Sequence, residues 1–396
     1  MLLPLVLLLI SGAAVVWVYA GYPLLLAALG RIRPRPRERR PTQRALSVLV
    51  AAHNEAGVIE AKVANVRATN YPQHLIEIVV VSDGSTDGTV EAARRAGADR
   101  VLDLPRVGKI TALNAAVEAA GGEVLVFTDA DSLFLPDTLD QLLANFADPT
   151  VGGVSANEMS GTGSDASGVA RGEGAYWRYE QWIKRLEDRV GSAVSASGRL
   201  YAIRRSIFQP STVTSGTDDF VISTQVLRAG RRLAFDEHTL VLVDAPRNAG
   251  SEFRRKVRVM NRGLRAALSL QKLLAPWRGG FYSVQVLSHK ILRRLLPFFL
   301  VTAVAAGIWL TTLSPVWWLA LGPQLVFYGL AAAGWAGRTR GWGKARPLWV
   351  AYYFCLVNLA AAIAVLSVLG GVRFERWNPT GDGRRAAEPA GGRVGG

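Results

Sequence analysis

Two carboxylates separated by one residue follow a short apolar run, and together they could hold a divalent cation. Asp129 and Asp131 come after residues 124–127, whose four apolar side chains are typical of a buried strand. Because Asp is rare inside strands, we expect both acids just past the strand end, where ligands of open α/β sheets bind. Mg²⁺ typically takes one or two carboxylates and completes its shell with substrate phosphates. The alternative is a polar turn in which Asp131 caps the next helix.

Strands and helices alternate around this pair, which predicts an α/β domain with a largely parallel sheet over residues 45–250. The apolar runs that we interpret as strands occupy residues 46–52, 76–81, 100–104 and 124–127. Three of them end in acid-bearing turns, which contain Glu55, Asp83 and the Asp129 pair. Acids at one sheet edge suit ribose hydroxyls, base N–H groups or a cation, although each turn taken singly is also ordinary turn chemistry. No Gly-x-Gly-x-x-Gly sequence opens the first helix, which argues against a nicotinamide-binding domain.

Several stretches are long and apolar enough to cross a bilayer core, which takes about 20 residues of helix. The charge-free stretches predict spanning helices at residues 3–29, 295–313, 316–336 and 348–370. The first could be a cleaved signal peptide. However, it lacks a basic n-region, and its apolar run exceeds the usual length of about 7–15 residues. We therefore expect residues 1–30 to stay as an N-terminal transmembrane helix.

The net charge of +15 is concentrated beside these apolar stretches. Residues 31–44 contain seven Arg and one Glu, and residues 251–294 contain eleven Lys or Arg and one Glu. Positive charge next to spanning helices marks the cytoplasmic side and favours anionic lipid, so the charge indicates a lipid bilayer and no nucleic acid as partner. We expect a basic linker at 31–44, basic interfacial helices at 251–294 and a cytoplasmic domain between them, in a multi-pass protein of a bacterial plasma (inner) membrane. If all four helices cross the membrane, the flexible tail, residues 373–396, lies on the outer side. Its five Arg against three acids do not favour that location.

Other metal-binding residue types are sparse. The single Cys355 lies in a predicted spanning helix and excludes both an intramolecular disulfide and a Cys-based zinc site. The four His are scattered, without the spacing of metal ligands.

The order of the polar motifs resembles that of membrane-bound inverting family-two glycosyltransferases of GT-A fold, in the branch of cellulose, chitin and hyaluronan synthases. The resemblance covers about residues 45–265. The motifs that carry it are 52–55, 79–87, 108–114, 129–131, 217–219 and the basic segment 254–258. Each is weak alone, and their common order gives the resemblance its weight. It implies a GT-A-type nucleotide-sugar-binding domain combined with α-helical transmembrane segments.

The resemblance implies roles for the residues at the donor side. Glu55 and Asp83 would contact the nucleoside of a nucleotide-sugar, and Lys109 at a helix start would face its phosphates. Asp129 and Asp131 would place the Mg²⁺ or Mn²⁺ that bridges the diphosphate and stabilises the departing nucleoside diphosphate. Without the resemblance, Lys109 could equally be a solvated surface lysine.

Inversion requires a base that takes the proton of the incoming hydroxyl. By resemblance this base is Asp219, with Asp218 standing where the family has Glu; capping of the next helix is the alternative role of both. Arg258 matches the arginine of the Gln-x-x-Arg-Trp motif and would bind the diphosphate. Val259 stands where that motif has Trp, which puts processive polymer synthesis in doubt. The same segment could also be an amphipathic helix facing lipid headgroups.

Together these observations predict a membrane-anchored, metal-dependent glycosyltransferase. It would move a sugar with inversion from a nucleotide-sugar donor, UDP-linked by resemblance, to a carbohydrate or lipid-linked acceptor. One alternative is a polyprenyl-phosphate sugar transferase, which adds a single sugar. Another is a non-catalytic nucleotide-binding membrane scaffold.

Overall fold

Eight strands form one mixed sheet in the computed structural model, which describes residues 2–160, 168–213, 216–243, 249–270, 274–338, 340, 342 and 345–372. The strands are β1 Leu46–Ala52, β2 Ile76–Asp83, β3 Arg100–Leu104, β4 Val124–Asp129, β5 Leu133–Phe134, β6 Val151–Ser160, β7 Leu200–Arg204 and β8 Arg232–Val243. Their order in the sheet is β3-β2-β1-β4-β7-β6-β8-β5. The four strands predicted from apolar runs are present and pair in parallel, which confirms the predicted fold class. Strand β7 then runs antiparallel to β4 and β6.

Helices cover both faces of the sheet, because each central strand buries side chains on both sides. On one face, the apolar residues of β1 at 46, 48 and 50 pack under α3 Ala56–Arg67, α4 Thr89–Arg95 and α6 Thr138–Ala144. On the other face, Leu49 and Ala51 pack under α5 Lys109–Ala119 and α8 Asp218–Arg228. This two-sided burial is typical of parallel strands and explains their nearly continuous apolar runs.

The turns that follow β1 and β2 are bonded to each other at the carboxyl edge of the sheet. Asn54, which has a positive φ of 55°, accepts a hydrogen bond from the amide of Thr86 at 2.8 Å. The amide of Asn54 donates to the Ser85 hydroxyl at 3.1 Å. Because Asn tolerates the left-handed conformation better than most residues, it suits this turn. The two turns therefore form one hydrogen-bonded unit beside the end of β4.

Within the described residues, four helical segments are long and apolar enough to cross a membrane: Leu2–Ile32, Phe281–Leu313, Pro315–Ala336 and Arg346–Leu369. The first contains α1 Leu2–Val16 and α2 Tyr22–Ile32, joined by a π-helical turn at Trp17–Gly21. After α7 Gly168–Val190 and α9 Ala249–Ser269, the chain forms α10 Pro276–Gly279, α11 Phe281–Gln285 and a π-helical segment, Val286–Leu292. Then come α12 Arg293–Leu313, α13 Trp318–Ala336 and α14 Arg346–Leu369.

The helical segment that contains the second predicted span is longer than that span. The predicted span covers residues 295–313, because the charge-free stretch begins at Leu295. The helical segment begins at Phe281, and the cations Lys290, Arg293 and Arg294 lie inside it and line a cavity. The strand β4 also includes Asp129 as its last residue, whereas we had placed that acid just past the strand.

The basic segment after α2 is extended and packs onto the α/β domain. Arg37 forms ion pairs with Asp188 and Asp236, and Arg39 also pairs with Asp236 at 3.2 Å. Asp236 is fully buried, so these arginines compensate a charge that would otherwise be costly. The predicted tail, residues 373–396, lies outside the described residues.

Candidate active site

The carboxylate pair at the end of β4 is bound by cations from two other elements. The Nζ atom of Lys109 lies 2.8 Å from Oδ1 of Asp129. The Nη1 atom of Arg199 lies 2.7 Å from Oδ1 of Asp131 and 3.5 Å from Oδ2 of Asp129. Burial alone would lower the pKa of Lys109, but the carboxylates of Asp129 and Asp218 raise it above its ordinary value. Lys109 is therefore a charged bridge in the site, not a solvated surface lysine.

The same lysine joins the β4 acids to the start of α8. Its Nζ lies 3.0 Å from Oδ2 of Asp218, which is 9% exposed. Gly108, at φ 90°, precedes Lys109 and lets the chain turn sharply into α5. Asp129 and Asp218 are 89 residues apart in sequence, yet one ammonium group binds both.

Asp219 lies in the first turn of α8, next to this bridge. Burial, and then the negative charge of Asp218, raise the pKa of its carboxyl group above the ordinary value. A Cβ atom placed on Gly198 would lie 3.7 Å from Cγ of Asp219, so the glycine leaves space in front of this carboxylate. Thr217 is the N-cap residue, and both acids follow it inside the helix. Neither acid is therefore the capping residue that we had considered.

A cavity of about 510 Å³ opens at these residues and extends toward the long apolar helical segments. Lys109, Asp129, Arg199, Asp218 and Asp219 line one end of it. Most of the remaining lining residues belong to α7, α9, the 281–313 segment and α14. The members that belong to these elements include Tyr176, Glu180, Arg258, Arg262, Lys290, Arg294, Trp349 and Tyr353. Of the predicted site residues, Lys109, Asp129, Asp218, Asp219 and Arg258 thus share one cavity, whereas Asp131 does not line it.

Two predicted donor-side residues, Asp83 and Glu55, lie outside the cavity lining. Asp83 is fully buried, and its Oδ1 accepts hydrogen bonds from the amides of Val107 at 2.7 Å and Gly108 at 2.8 Å. Asp83 thereby fixes the loop that leads to Lys109. Contact between Asp83 and a nucleoside stays a prediction, and it requires this loop to move away from the Asp83 carboxylate. Glu55 is 6% exposed and precedes α3. Neither side chain lines the cavity.

Arg258 lies on α9 and lines the cavity, but α9 also contributes a residue that we did not predict. Arg262, one turn further along α9, donates hydrogen bonds to the carbonyl oxygen of Gly216 at 2.6 and 3.1 Å. Gly216 lies just before Thr217, so Arg262 holds the start of α8. The i, i+4 spacing of the two arginines was the available sequence signal.

The turn between β4 and β5 is held from behind by α3. Lys62 is fully buried, and its Nζ donates to the Ser132 carbonyl oxygen at 2.5 Å and to the Thr128 hydroxyl at 3.1 Å. Asn65 forms a reciprocal pair with Phe134, accepting from its amide at 2.7 Å and donating to its carbonyl at 2.9 Å. Sequence reasoning missed both residues, because a Lys and an Asn in an amphipathic helix give no local sign of their partners.

The donor set at β4 fits a cation that a substrate completes. No group of three or more His, Cys, Asp or Glu side chains that could hold a metal by themselves occurs in the described part of the chain. Asp129 and Asp131 supply two carboxylates, which matches the one or two that Mg²⁺ takes when phosphates fill its remaining positions. The ion pairs with Lys109 and Arg199 show that cationic charge is stable at this position.

The mixed sheet, with a polar cavity at the carboxyl end of β4, has the architecture of a GT-A domain. Residues 47–209 match the profile of Glycosyl transferase family 2, and this part of the chain is a domain of that family. The chain is similar to a mannosyltransferase from Pyrobaculum calidifontis, PcManGT, whose structure contains GDP-Man and Mn²⁺. The TM-score is 0.69 at 24% identity, covering 92% of this chain and 99% of that one.

Curated relatives are also glycosyltransferases. Poly-beta-1,6-N-acetyl-D-glucosamine synthase from Staphylococcus aureus is 26% identical over 225 residues, or 54% of this chain and 53% of the relative. The chain therefore spans about half the length of that relative. An N-acetylglucosaminyltransferase from Rhizobium meliloti is 25% identical over 312 residues, 73% of this chain and 71% of the relative. Over its α/β domain the chain is thus similar to glycosyltransferases.

Proposed function

We propose that the protein transfers a sugar from a nucleotide-sugar donor to a carbohydrate or lipid-linked acceptor, with inversion and with a divalent metal. The observation that carries this proposal is the Lys109 bridge. The Lys109 ammonium group contacts both Asp129, a predicted metal ligand, and Asp218, the neighbour of the predicted base. A UDP-linked donor is the first to test, and Mn²⁺ and Mg²⁺ are the metals that the two carboxylates suit.

Each residue of the site then has a stated task. Asp129 and Asp131 hold the metal, which when bound neutralises charge on the leaving nucleoside diphosphate. Lys109 and Arg258 bind the diphosphate oxygens as cations, and Asp83 keeps the loop before Lys109 in place. Asp219 accepts the proton of the attacking hydroxyl. Its raised pKa makes it a stronger base than an exposed aspartate.

The decisive experiment measures release of nucleoside diphosphate from a panel of UDP- and GDP-sugars, with the full chain in lipid nanodiscs. We expect release to require Mn²⁺ or Mg²⁺. We expect Asp219→Asn and Asp131→Asn each to lower it by about a hundredfold or more. Asp103→Asn, an exposed acid on β3, is the matched control and should behave like wild type.

Metal-dependent nucleotide binding without turnover would instead support the non-catalytic scaffold. Wild-type rates in both site variants would remove the assignment altogether. A second candidate, single transfer to a polyprenyl phosphate, is favoured by the cations that line the membrane side of the cavity.

A further inference from the structure

The cavity reaches from Asp129 to a helix long and apolar enough to span the membrane. Trp349, Tyr353 and Val357 of α14 form its far wall, and Val350, which also lines it, is 42% exposed. Trp and Tyr are enriched at the level of lipid headgroups, and the exposed Arg346 opens α14 at the same end. This end of the cavity therefore lies where headgroups meet the protein.

The lining is strongly cationic. It contains ten Lys or Arg side chains against five Asp or Glu side chains. Lys109 and Arg199, at the donor end, are paired with carboxylates. By contrast, Lys184, Lys290 and Arg294 form no ion pair within 4.0 Å with any described residue.

Glu180, a buried acid that lines this side of the cavity, forms no ion pair with these three cations. Both oxygens of Glu180 are bonded already, Oε2 to His289 at 3.0 Å and Oε1 to Arg293. Arg294 donates to the backbone oxygen of Lys290 and lies against Gly263 of α9. A Cβ on that glycine would be only 2.8 Å from its Nη2 atom, so the helix leaves room for the guanidinium.

Cations near the end of a spanning helix usually extend their side chains toward water. Here they line an interior cavity, where a charge without a counter-ion is costly. An anionic group arriving in the cavity would remove that cost, whereas a neutral glycan would not.

We propose that the acceptor is a membrane lipid with an anionic phosphate headgroup. The phosphate lies among Lys184, Lys290 and Arg294, and the hydrocarbon chain lies along α14. This inference rests on the proposed function and specifies its acceptor. In the transfer, an oxygen of the lipid headgroup forms the bond to the anomeric carbon. The bond from that carbon to the donor diphosphate breaks, and its electron pair leaves with the nucleoside diphosphate. If the attacking oxygen is a hydroxyl, its proton passes to Asp219.

The test uses lipids extracted from bacterial membranes and separated by anion exchange into a neutral and an anionic pool. Each pool is mixed into phosphatidylcholine nanodiscs that hold the full chain, and a third sample receives soluble oligosaccharides instead. With a radiolabelled donor, we expect organic-extractable label from the anionic pool. Equal labelling of the neutral pool, or label only in water-soluble glycan, would overturn the inference. Absence of donor turnover in every sample, including hydrolysis, would overturn the proposed function itself.

Variants test the binding residues directly. Lys290→Met and Arg294→Met should each lower the ratio of lipid transfer to donor hydrolysis about tenfold, since each removes a charged hydrogen-bond donor. Lys290→Arg should restore most of that ratio. Arg346→Met, an exposed cation that does not line the cavity, should leave the ratio as in wild type. An unchanged ratio in Lys290→Met would overturn the assignment. If that variant does not fold, the comparison of anionic and neutral lipid pools with the wild-type protein tests the proposal.

Discussion

The Nη1 atom of Arg199 lies 2.7 Å from Oδ1 and 2.9 Å from Oδ2 of Asp131, so the arginine contacts both oxygens of a predicted metal ligand. The neighbouring carboxylates raise the pKa of Arg199 even though burial lowers it. Its charge thus occupies the position where a metal would compensate the same acids. A divalent cation has to compete with this ion pair before it can bind Asp131.

Replacement of Arg199 by Leu should therefore strengthen metal binding in the absence of donor. We expect Mn²⁺ to bind about tenfold more tightly, because a charged hydrogen bond to Asp131 no longer competes. The measurement is the electron paramagnetic resonance signal of free Mn²⁺ during titration. Arg67→Leu, which removes an exposed ion pair with Asp99, is the control and should match wild type. Weaker Mn²⁺ binding in the Arg199 variant would contradict the competition.

The pH dependence of transfer should report the pair at the start of α8. Burial, and then Asp218, raise the pKa of Asp219, so its protonated form persists to higher pH than that of an ordinary aspartate. Since the base must be deprotonated, kcat/KM should rise as the pH increases through that raised value. Asp218→Asn removes the like charge, and the acidic limb of the profile should move to lower pH.

A profile of kcat/KM against pH for both proteins checks this prediction. Glu118→Gln, an exposed acid on α5 that does not line the cavity, serves as the charge-matched control. A limb that stays in place in Asp218→Asn would mean that another group titrates.

Local sequence patterns predicted the parallel half of the sheet because each strand is a short apolar run that ends in a polar turn. They failed where partners lie far apart in sequence. Arg199 meets Asp131 across 68 residues, and Lys62 meets Ser132 across 70. Nothing in the neighbourhood of these residues identifies their partners.

The helical segment that contains the predicted span 295–313 begins earlier, at Phe281, and so includes cations that the sequence pattern left out of the span. Lys290 and Arg294 interrupt hydrophobicity, which normally ends a spanning segment. In the structure both line the polar cavity, and ionisable residues in apolar helical segments usually face such an interior.

Lys62 should make the stability of the protein depend on pH. Burial lowers its pKa to about 7, against an ordinary value near 10.5, so the unfolded chain binds more protons between these values. The free energy of unfolding therefore rises with pH in this window, by at most about 1.4 kcal/mol per pH unit. Lys62→Met, of similar size, should lack this rise. We expect the melting temperature of wild type, relative to Lys62→Met, to increase from pH 7 to about pH 9.

The same substitution should also affect activity, because Lys62 holds the turn that contains Asp131. We expect a lower kcat with little loss of stability near neutral pH. Replacement by Met that lowers the melting temperature and leaves kcat intact would show that Lys62 serves packing alone.

Glu187 should be the main stabilising contact between the first spanning segment and the α/β domain. Its Oε1 accepts hydrogen bonds from the Tyr22 hydroxyl at 2.6 Å and from Nδ1 of His289 at 2.7 Å. Its Oε2 accepts from the amide of Val194 at 3.1 Å. All four residues are buried. One carboxylate thus joins α2, α7, the 281–313 segment and the loop that leads to Gly198.

Removing the partners of Glu187 should destabilise the protein by different amounts. His289→Leu leaves Glu187 and Glu180 buried with less compensation, which costs about 3–5 kcal/mol. Tyr22→Phe removes one hydrogen bond to a charged group, about 1.5–3 kcal/mol. Melting temperatures in nanodiscs should therefore fall from wild type to Tyr22→Phe to His289→Leu. Tyr328→Phe removes a hydroxyl that has no hydrogen bond to a described residue, and its melting temperature should equal that of wild type. Equal melting of Tyr22→Phe and Tyr328→Phe would mean that the first spanning segment is held by apolar packing of Leu26 against Ile183, without help from Glu187.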